Sequence, residues 1–332
     1  MDAIRHHSYG PPETLVLEQI PEPTPGAGQV LIAATAHGVH LMDTSLRRGE
    51  ASGPLEAPEL PAVPGREVAG TVVAVGPEVD PAWVGTRVAA HLGATPDGGG
   101  YARRVRAPAS ALHLVPDGLD EADAIAMIGT GRMALHTLEI ARLSGDDVLV
   151  VTAAAGGLGS LFVQAGLAAG ARVLALAGGP EKVELVRGLG PAESLVVLDY
   201  RAQGWPAEAL AVLRTLGGPA TVVLDGVGGD LGTAAARLLG PGGRLVVHGW
   251  SSGHPNRLAD PDDGGTSEIE VRYAVGPGAP APADLRGYQE EALARAATGS
   301  WRVLTHRVPF AEAARAHREL EERRTTGKVV LV

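Results

Sequence analysis

Hydrophobic positions in the first 118 residues form short runs that are separated by proline and glycine. Short runs of this kind between turn residues, many of them rich in valine, are typical of β-strands. The pattern therefore predicts an all-β lobe in this part of the chain. Its predicted strands are 14–19, 29–36, 67–75, 87–91 and 101–106.

Beyond residue 120 the pattern changes to long helical stretches, rich in alanine and leucine, that alternate with short apolar strands. This alternation predicts a parallel sheet that is covered by helices on both faces. The predicted strands are 147–152, 171–177, 194–198, 221–225 and 243–248. The last part of the chain is predicted to hold a surface loop at 252–285 with an edge strand at 268–275, helices at 282–298 and 312–324, and a strand at 328–332.

Composition narrows the class of protein and of partner. The 332 residues suffice for two domains with separate cores, and 28 basic against 38 acidic residues give a net charge of −10. Without a local basic patch, this charge argues against a nucleic acid or an anionic membrane as partner. The chain has no cysteine, which excludes disulfides, cysteine zinc sites and thiol catalysis.

Residues 1–7 hold no apolar signal core and no window approaches the roughly 18 apolar residues of a membrane span, so we expect a cytoplasmic protein.

One segment carries a recognisable binding chemistry. The predicted strand 147–152 runs directly into a turn of small residues, and a helical pattern follows from 160 to 169. Small residues let the backbone approach a diphosphate, whose charge is met by free N–H groups at the start of the helix. The sequence therefore predicts a dinucleotide-binding turn, in which alanine replaces the first glycine of the usual fingerprint. Its residues are Ala154, Gly156, Gly157, Leu158 and Gly159.

The second strand of this domain indicates which dinucleotide binds. Domains that prefer NAD place Asp or Glu about twenty residues after the turn, on the ribose hydroxyls. Here the chain has Ala177 and Gly178, and Lys182 follows one turn into the next helix. The missing carboxylate and the lysine predict NADP(H), with Gly178 and Lys182 at its adenosine end. A solvated surface lysine is the alternative for Lys182.

Several spaced motifs occur in an order that resembles one known family. The chain resembles, from end to end, the zinc-independent medium-chain dehydrogenases/reductases of the quinone oxidoreductase (zeta-crystallin-like) branch. The resemblance implies a Rossmann domain, 121–275, inserted into a mainly β, GroES-like catalytic domain formed by 1–120 and 276–332. The motifs that carry it are 38–43, 64–70, 84–89, 153–159, 224–229, 241–244 and 327–330.

The resemblance also implies further cofactor contacts. Tyr200 would join Lys182 around the adenosine phosphate, and Arg323 is a second cation for that position; packing and a solvated helix face are the alternatives. His248 would lie by the nicotinamide ribose. Trp250 would wall the substrate pocket or belong to the core. The segment 249–253 also matches the hydrolase pattern G-x-S-x-G, but that pattern must lead into a helix, which 253–256 cannot start convincingly.

Zinc enzymes of this superfamily hold their catalytic metal at three positions, which align here with His40, Arg66 and Gly129. Only His40 can ligate, so we expect no catalytic metal. The remaining chemistry is hydride delivery from NADPH to an electron-poor carbon of a quinone or an enone, with the protein supplying orientation and a hydrogen-bond donor.

The predicted substrate pocket departs from the pattern of the branch. His40 stands where the related reductases usually have Asn, Ser45 where they often have Tyr, and Met133 where they have Thr. A histidine can act as a donor or general acid near neutral pH, so His40 is the predicted catalytic residue. The alternative is that His40 only hydrogen-bonds backbone beneath the nicotinamide.

These observations favour an NADPH-dependent reductase of quinones or α,β-unsaturated carbonyl compounds, acting on a small molecule. Two other readings stay open: a non-redox lyase or cyclase of specialised metabolism on the same fold, and a catalytically silent NADPH sensor. The edge strand at 268–275 predicts pairing with its copy across a two-fold axis, hence a homodimer. The remaining histidines are predicted to be surface or locally hydrogen-bonded residues; they include His6, His7, His136 and His317.

Overall fold

The computed structural model describes residues 1–52, 55–93, 99–258 and 269–332. The chain divides into two compact units. Unit 1 consists of Met1–Arg132 and Arg286–Val332, and unit 2 consists of Met133–Leu285. Both ends of the chain thus belong to unit 1. This division into units does not test the domain bounds predicted at 120 and 275, which stay a prediction.

The secondary structure of the described residues runs as follows. The strands are β1 Asp2–Arg5, β2 Val16–Gln19, β3 Gln29–Val39, β4 Glu67–Val75, β5 Arg87–His91, β6 Arg104–Pro108, β7 Leu112–Leu114, β8 Val148–Val151, β9 Arg172–Ala177, β10 Leu195–Asp199, β11 Ala220–Asp225, β12 Leu239–Val247, β13 Glu270–Tyr273, β14 Thr305–Val308 and β15 Lys328–Leu331. The helices are α1 Leu41–Arg47, α2 Glu121–Ala126, α3 Arg132–Ala141, α4 Gly157–Ala168, α5 Pro180–Arg187, α6 Trp205–Thr215, α7 Gly229–Ala236, α8 Leu285–Ala297 and α9 Ala313–Glu321.

Unit 1 is built around a sheet in the order β14-β15-β3-β4-β5-β7, with β6 on the free part of β3. The long strand β3 is buried along most of its length. Its valine and isoleucine side chains pack with valines of the neighbouring strands in one core cluster. Strand β15 from the chain end pairs antiparallel with β3, where Val329 lies opposite Val39. The two distant parts of the chain therefore share one sheet.

Unit 2 contains a sheet in the order β10-β9-β8-β11-β12-β13, with every pair parallel. This is the 3-2-1-4-5-6 strand order of a Rossmann domain. Its central strand β8 is buried at every position, as expected of a strand that is covered on both faces. The predicted fold class, a parallel α/β domain joined to a mainly β domain, is confirmed.

The prediction of an all-β lobe was wrong at α1. This helix is short, and polar contacts stabilise it: Asp43 Oδ2 accepts the His40 backbone N–H at 2.8 Å, and Thr44 Oγ1 donates to Leu41 O at 2.7 Å. Seven residues with few apolar positions carry too little helical periodicity to be recognised in the sequence.

Other expectations also need correction. His136 and His317 are buried and not on the surface; His6 is buried too but fits the other predicted option, a local hydrogen bond, since its Nδ1 lies 3.4 Å from Ser8 O, and His7 is exposed. Strand β6 begins at Arg104 and not at the predicted residue 101; Tyr101 is fully buried and lies against Gly65. The predicted edge strand is present as β13, at the end of the sheet order; Glu268 lies outside the described residues.

Among the described residues, no helix combines the length and the apolar character that crossing a membrane requires.

Candidate functional site

The glycine turn of unit 2 has the context that diphosphate binding needs. Strand β8 ends at Val151, and α4 begins at Gly157 after a turn in which Ala153 has φ 47. A Cβ on Gly159 would lie 2.3 Å from Ala153 O, so only glycine fits there. The first N–H groups of α4 have no acceptor within the helix. The turn can therefore receive an anion.

Ala154 occupies the first position of the fingerprint without opening the turn. It is fully buried, and its N–H donates to Leu176 O of β9 at 2.9 Å. The alanine thus ties the turn to the neighbouring strand. Gly156 directly precedes α4 and Leu158 lies in its first turn, so the helix begins three residues before the predicted residue 160.

The adenosine end of unit 2 brings predicted residues close together. Tyr200 lies directly on Gly178, because a Cβ on that glycine would be 2.5 Å from Tyr200 Oη. Lys182 lies in the first turn of α5. Asp199 Oδ1 accepts the N–H groups of Gly179 and Arg201, at 2.9 Å each, so this carboxylate holds the loop.

Arg201 was not among the residues predicted from the sequence. Its Nη1 lies 3.3 Å from a Cβ placed on Gly179, which is the residue before α5. The signal that could have found it was its position directly after Tyr200. Arg323, proposed for the same phosphate, belongs to unit 1, where it follows α9 with φ 59.

His248 and Trp250 follow the end of β12. The His248 ring packs on Phe162 with 4.9 Å between ring centroids, and a Cβ on Gly226 would lie 2.3 Å from its Cε1. Burial lowers the pKa of His248 to about 4, so the ring is neutral at pH 7. Trp250 packs on Tyr273, 6.3 Å between centroids, and against the core of unit 2. Ser251 lies in a turn after which 254–258 form no helix, so the hydrolase pattern lacks its context.

Unit 1 holds a cluster of ionisable side chains that meet across β3. His40 Nε2 lies 2.8 Å from Glu67 Oε2 and 2.8 Å from Lys328 Nζ, and the third side of this triangle, Lys328 Nζ to Glu67 Oε2, is 3.1 Å. Strand β3 separates β4 and β15, which carry the acid and the lysine. A Cβ on Gly38 of β3 would lie 2.4 Å from Glu67 Oε2. The side chains can meet because that position has no side chain.

Glu67 is the buried anchor of this cluster. It is fully buried, Lys328 is 6% exposed and His40 is 25% exposed. Burial alone would raise the pKa of Glu67, but the charges of His40 and Lys328 hold it well below its usual value. The contacts are ion pairs by distance; neither Glu67 oxygen has a partner with hydrogen-bond geometry among the described residues. His40 is therefore the exposed member of a buried charged cluster.

The three positions that align with zinc ligands do not form a zinc site. A Cβ on Gly129 would lie 1.7 Å from Glu67 Oε1, so the glutamate occupies the place of a ligand side chain there. This glycine lies in a π-helical turn, Met127–Gly131. Arg66 Nη2 donates to Gly93 O at 2.8 Å. The Lys328 ammonium lies against His40, so the donor set does not fit Zn²⁺.

A buried network fixes the backbone of His40. Asp43 Oδ2, which accepts the His40 N–H, also accepts from Tyr101 Oη at 3.4 Å. Tyr101 Oη lies 3.1 Å from His317 Nε2, and His317 Nδ1 lies 3.2 Å from Arg47 Nη1. A guanidinium can only donate, so His317 accepts through Nδ1 and donates through Nε2–H. In the series Arg47, His317, Tyr101 and Asp43, each residue then donates a hydrogen bond to the next.

Burial and the charge of Arg47 lower the pKa of His317 to about 3, in agreement with a neutral ring. The contact between Tyr101 and His317 was not predictable from the sequence, since no spacing in the chain connects them. The predicted pocket residues are not brought together within one unit. Ser45 lies in unit 1, with its Oγ 3.2 Å from Arg48 Nη2, and Met133 lies in α3 of unit 2.

Comparisons with known proteins identify the family. Residues 26–117 match the alcohol dehydrogenase GroES-like domain, and 192–331 match the zinc-binding dehydrogenase model. A quinone oxidoreductase of Pseudomonas aeruginosa is 34% identical over 99% of this chain and 98% of its own length. A 2-haloacrylate reductase of a Burkholderia species is 34% identical over 77% of this chain and 74% of its own. The solved structure of a mycobacterial protein complexed with NADPH is 31% identical and superposes with a TM-score of 0.80, covering 100% of both chains. The chain belongs to the medium-chain dehydrogenase/reductase superfamily, in its quinone oxidoreductase branch.

Proposed function

We propose that the protein is an NADPH-dependent oxidoreductase that transfers a hydride to an electron-poor carbon of a quinone or an α,β-unsaturated carbonyl compound, without zinc. The observation that carries this proposal is the contact of His40 Nε2 with Lys328 Nζ and Glu67 Oε2, at 2.8 Å each. It supplies protons at the position where zinc enzymes of the superfamily hold their metal. The quinone oxidoreductase and the 2-haloacrylate reductase among the relatives support this class of reaction.

NADP(H) binds to unit 2. The turn from Ala153 to Gly159 receives the diphosphate, and Lys182, Tyr200 and Arg201 surround the adenosine 2′-phosphate. The mycobacterial structure complexed with NADPH supports this cofactor. When bound, NADPH supplies the hydride.

The residues of unit 1 supply the proton or hydrogen bond that the reaction needs. A carbonyl oxygen gains negative charge as hydride reaches the conjugated carbon, and a donor placed there lowers the barrier. His40 is the member of the cluster with solvent access, so it donates to that oxygen. Lys328 Nζ lies 2.8 Å from His40 Nε2 and can pass a proton to that nitrogen as the ring gives up its Nδ1 proton; the lysine is then neutral until solvent reprotonates it, and Glu67 favours its charged form.

A panel of quinones and enones tests this proposal by the loss of nicotinamide absorbance. We expect NADPH consumption with at least one of these classes and no dependence on added zinc or chelator. A flat trace across the panel, with NADPH bound as shown by calorimetry, would overturn the reductase and leave the lyase and the sensor as the remaining functions.

The protein also forms a homodimer through β13 in this proposal. Strand β13 pairs with β12 on one side only among the described residues, and Tyr273 at its end is 38% exposed. An unpaired strand edge is a surface on which a second copy can add hydrogen bonds. Sedimentation at micromolar concentration tests it, and a monomer there contradicts it.

A further inference from the structure

Positive charge exceeds negative charge around Glu67. Arg66, Arg132 and Lys328 are three cations around the buried Glu67 carboxylate, and Asp43 is a second buried carboxylate, which interacts with Lys328. Lys328 is paired with Glu67, but neither arginine forms an ion pair among the described residues. Two arginines of the cluster, Arg66 and Arg132, therefore have no carboxylate paired with them among the described residues.

Arg132 is the clearest case of an unmatched cation. It is half-buried at the start of α3, directly after the π-helical turn, and its Nε has no hydrogen-bond partner in the described part of the chain. Burial lowers the pKa of Arg132. The charge of Glu67 raises this pKa and the charge of Arg66 lowers it. A guanidinium in this position, unpaired and beside a like charge, destabilises the free protein.

Arg66 has donors to spare as well. One of its five N–H groups donates to Gly93 O at 2.8 Å, which anchors the guanidinium. The same Gly93 donates its N–H to His91 Nδ1 at 3.0 Å, so the His91 proton is on Nε2 when the ring is neutral. Burial lowers the pKa of His91 to about 4, which keeps it neutral at pH 7. The remaining donors around the cluster therefore outnumber its acceptors.

We infer that the substrate carries a carboxylate conjugated to its double bond, and that Arg66 and Arg132 bind this carboxylate. Planar guanidinium groups bind carboxylates through pairs of parallel hydrogen bonds. An uncharged carbonyl oxygen needs one donor, which His40 supplies; two additional arginines match an anion. The partners proposed above for the cofactor phosphates lie in unit 2, so we assign the anion of unit 1 to the substrate. This inference rests on the proposed hydride transfer.

The reaction balances with this substrate. The hydride forms a C–H bond at the β-carbon, and the π electron pair of the double bond moves onto the α-carbon and the carboxylate oxygens. The α-carbon then takes one proton from solvent. The alkene is reduced to the saturated acid, and NADPH is oxidised to NADP⁺. A free carboxylate resists hydride addition because of its charge; binding by two guanidinium groups offsets that charge.

The test compares two substrates of the same shape, trans-2-butenoate and the enone 3-penten-2-one, in which a methyl group replaces the carboxylate oxygen. We expect Arg132→Gln to lower kcat/KM for trans-2-butenoate by about 10- to 100-fold, mainly through KM, and to affect the enone much less. Arg66→Gln should act in the same way. Arg132→Lys keeps the charge but not the paired donors, so it should recover only part of the loss.

A binding measurement gives a second readout. Butanoate, the unreactive saturated product, should bind the wild-type protein in calorimetry and bind Arg132→Gln about 10- to 100-fold more weakly. Arg132→Gln should also unfold at the same or a higher temperature, because it removes an unmatched charge. Arg324→Gln is the matched control: it removes a positive charge from an exposed position, 58% exposed, and should leave all measurements unchanged.

The outcomes separate the two proposals. If neither compound, and no quinone, consumes NADPH, the proposed function is overturned. If the enone is reduced while trans-2-butenoate is not and butanoate does not bind, the function stands and the carboxylate inference is overturned. Equal losses for the acid and the enone in Arg132→Gln, together with a lower unfolding temperature, would also overturn it, since they show a structural role.

Discussion

In unit 2 the candidate cofactor site is made mainly of backbone between β8 and α4, which adjoin in the chain. In unit 1 the candidate site is made of side chains from distant segments, with His40, Glu67 and Lys328 meeting at 2.8–3.1 Å. The first site is local in sequence and uncharged. The second is non-local and charged.

The difference shows where each unit is sensitive to substitution. A backbone turn tolerates a change such as alanine at Ala154, because the groups that bind are N–H donors and the side chain only has to be small. A buried charged cluster tolerates little, because removal of one member leaves another charge buried without a partner.

Lys328→Met should have the largest effect, on stability. It leaves the fully buried Glu67 carboxylate with His40 alone, and breaking a buried pair in this way costs about 3–5 kcal/mol at pH 7. Urea unfolding measures the loss. Because the pKa of Glu67 lies well below its usual 4.5 in the folded protein, the wild type gains this stability above that pH and loses it as the pH falls. The difference between the two proteins should therefore shrink in acid.

A double variant, Glu67→Gln with Lys328→Met, is the matched control for this effect. It removes both charges together, and should recover most of the lost stability. A single Lys328→Met loss below about 1 kcal/mol would contradict the contrast, since that is the range of an exposed ion pair.

His40→Ala should have the next effect, on turnover. If His40 donates to the oxygen that gains charge, kcat falls by about 10²-fold or more while NADPH binding stays, because the interaction exists mainly in the transition state. His40→Asn keeps a donor. Full activity in His40→Asn with loss in His40→Ala would make His40 a hydrogen-bonding positioner, and full activity in both would make it structural.

The degree to which the sequence predicts each region follows from the same contrast. The strand, the turn and Gly159 were predictable because they are consecutive and each has a local reason for its residue type. The pair of Glu67 and Lys328 was not, because only the strand order β4-β3-β15 brings them together and only Gly38 leaves room between them. Arg66 was recognised from the sequence as a position that cannot bind zinc. Arg132 was not connected with it, because the two arginines are far apart in the chain.

Lys182→Ala should have a smaller effect, on cofactor choice in unit 2. A charge-assisted contact with the 2′-phosphate is worth about 1.5–3 kcal/mol, so NADPH binding should weaken by about one to two decades and NADH binding should stay nearly unchanged. Arg187→Ala, which removes a positive charge from the exposed end of the same helix, is the control. Equal losses for both cofactors would show that Lys182 acts in folding or packing and not through the 2′-phosphate.

The smallest expected effect concerns the buried histidine that fixes the backbone next to His40. Burial and the Arg47 charge hold the pKa of His317 at about 3, whereas an unfolded imidazole titrates at 6.5. Between these values the unfolded chain binds a proton that the folded chain does not, so the free energy of unfolding falls as the pH drops. One such group contributes at most about 1.4 kcal/mol per pH unit, and His317→Gln should reduce the slope by that amount between about pH 4 and pH 6. The exposed His7→Gln should leave the slope unchanged. An unchanged slope in His317→Gln would show that the ring is protonated in the folded state, which would exclude the hydrogen bond from Arg47 to His317 Nδ1.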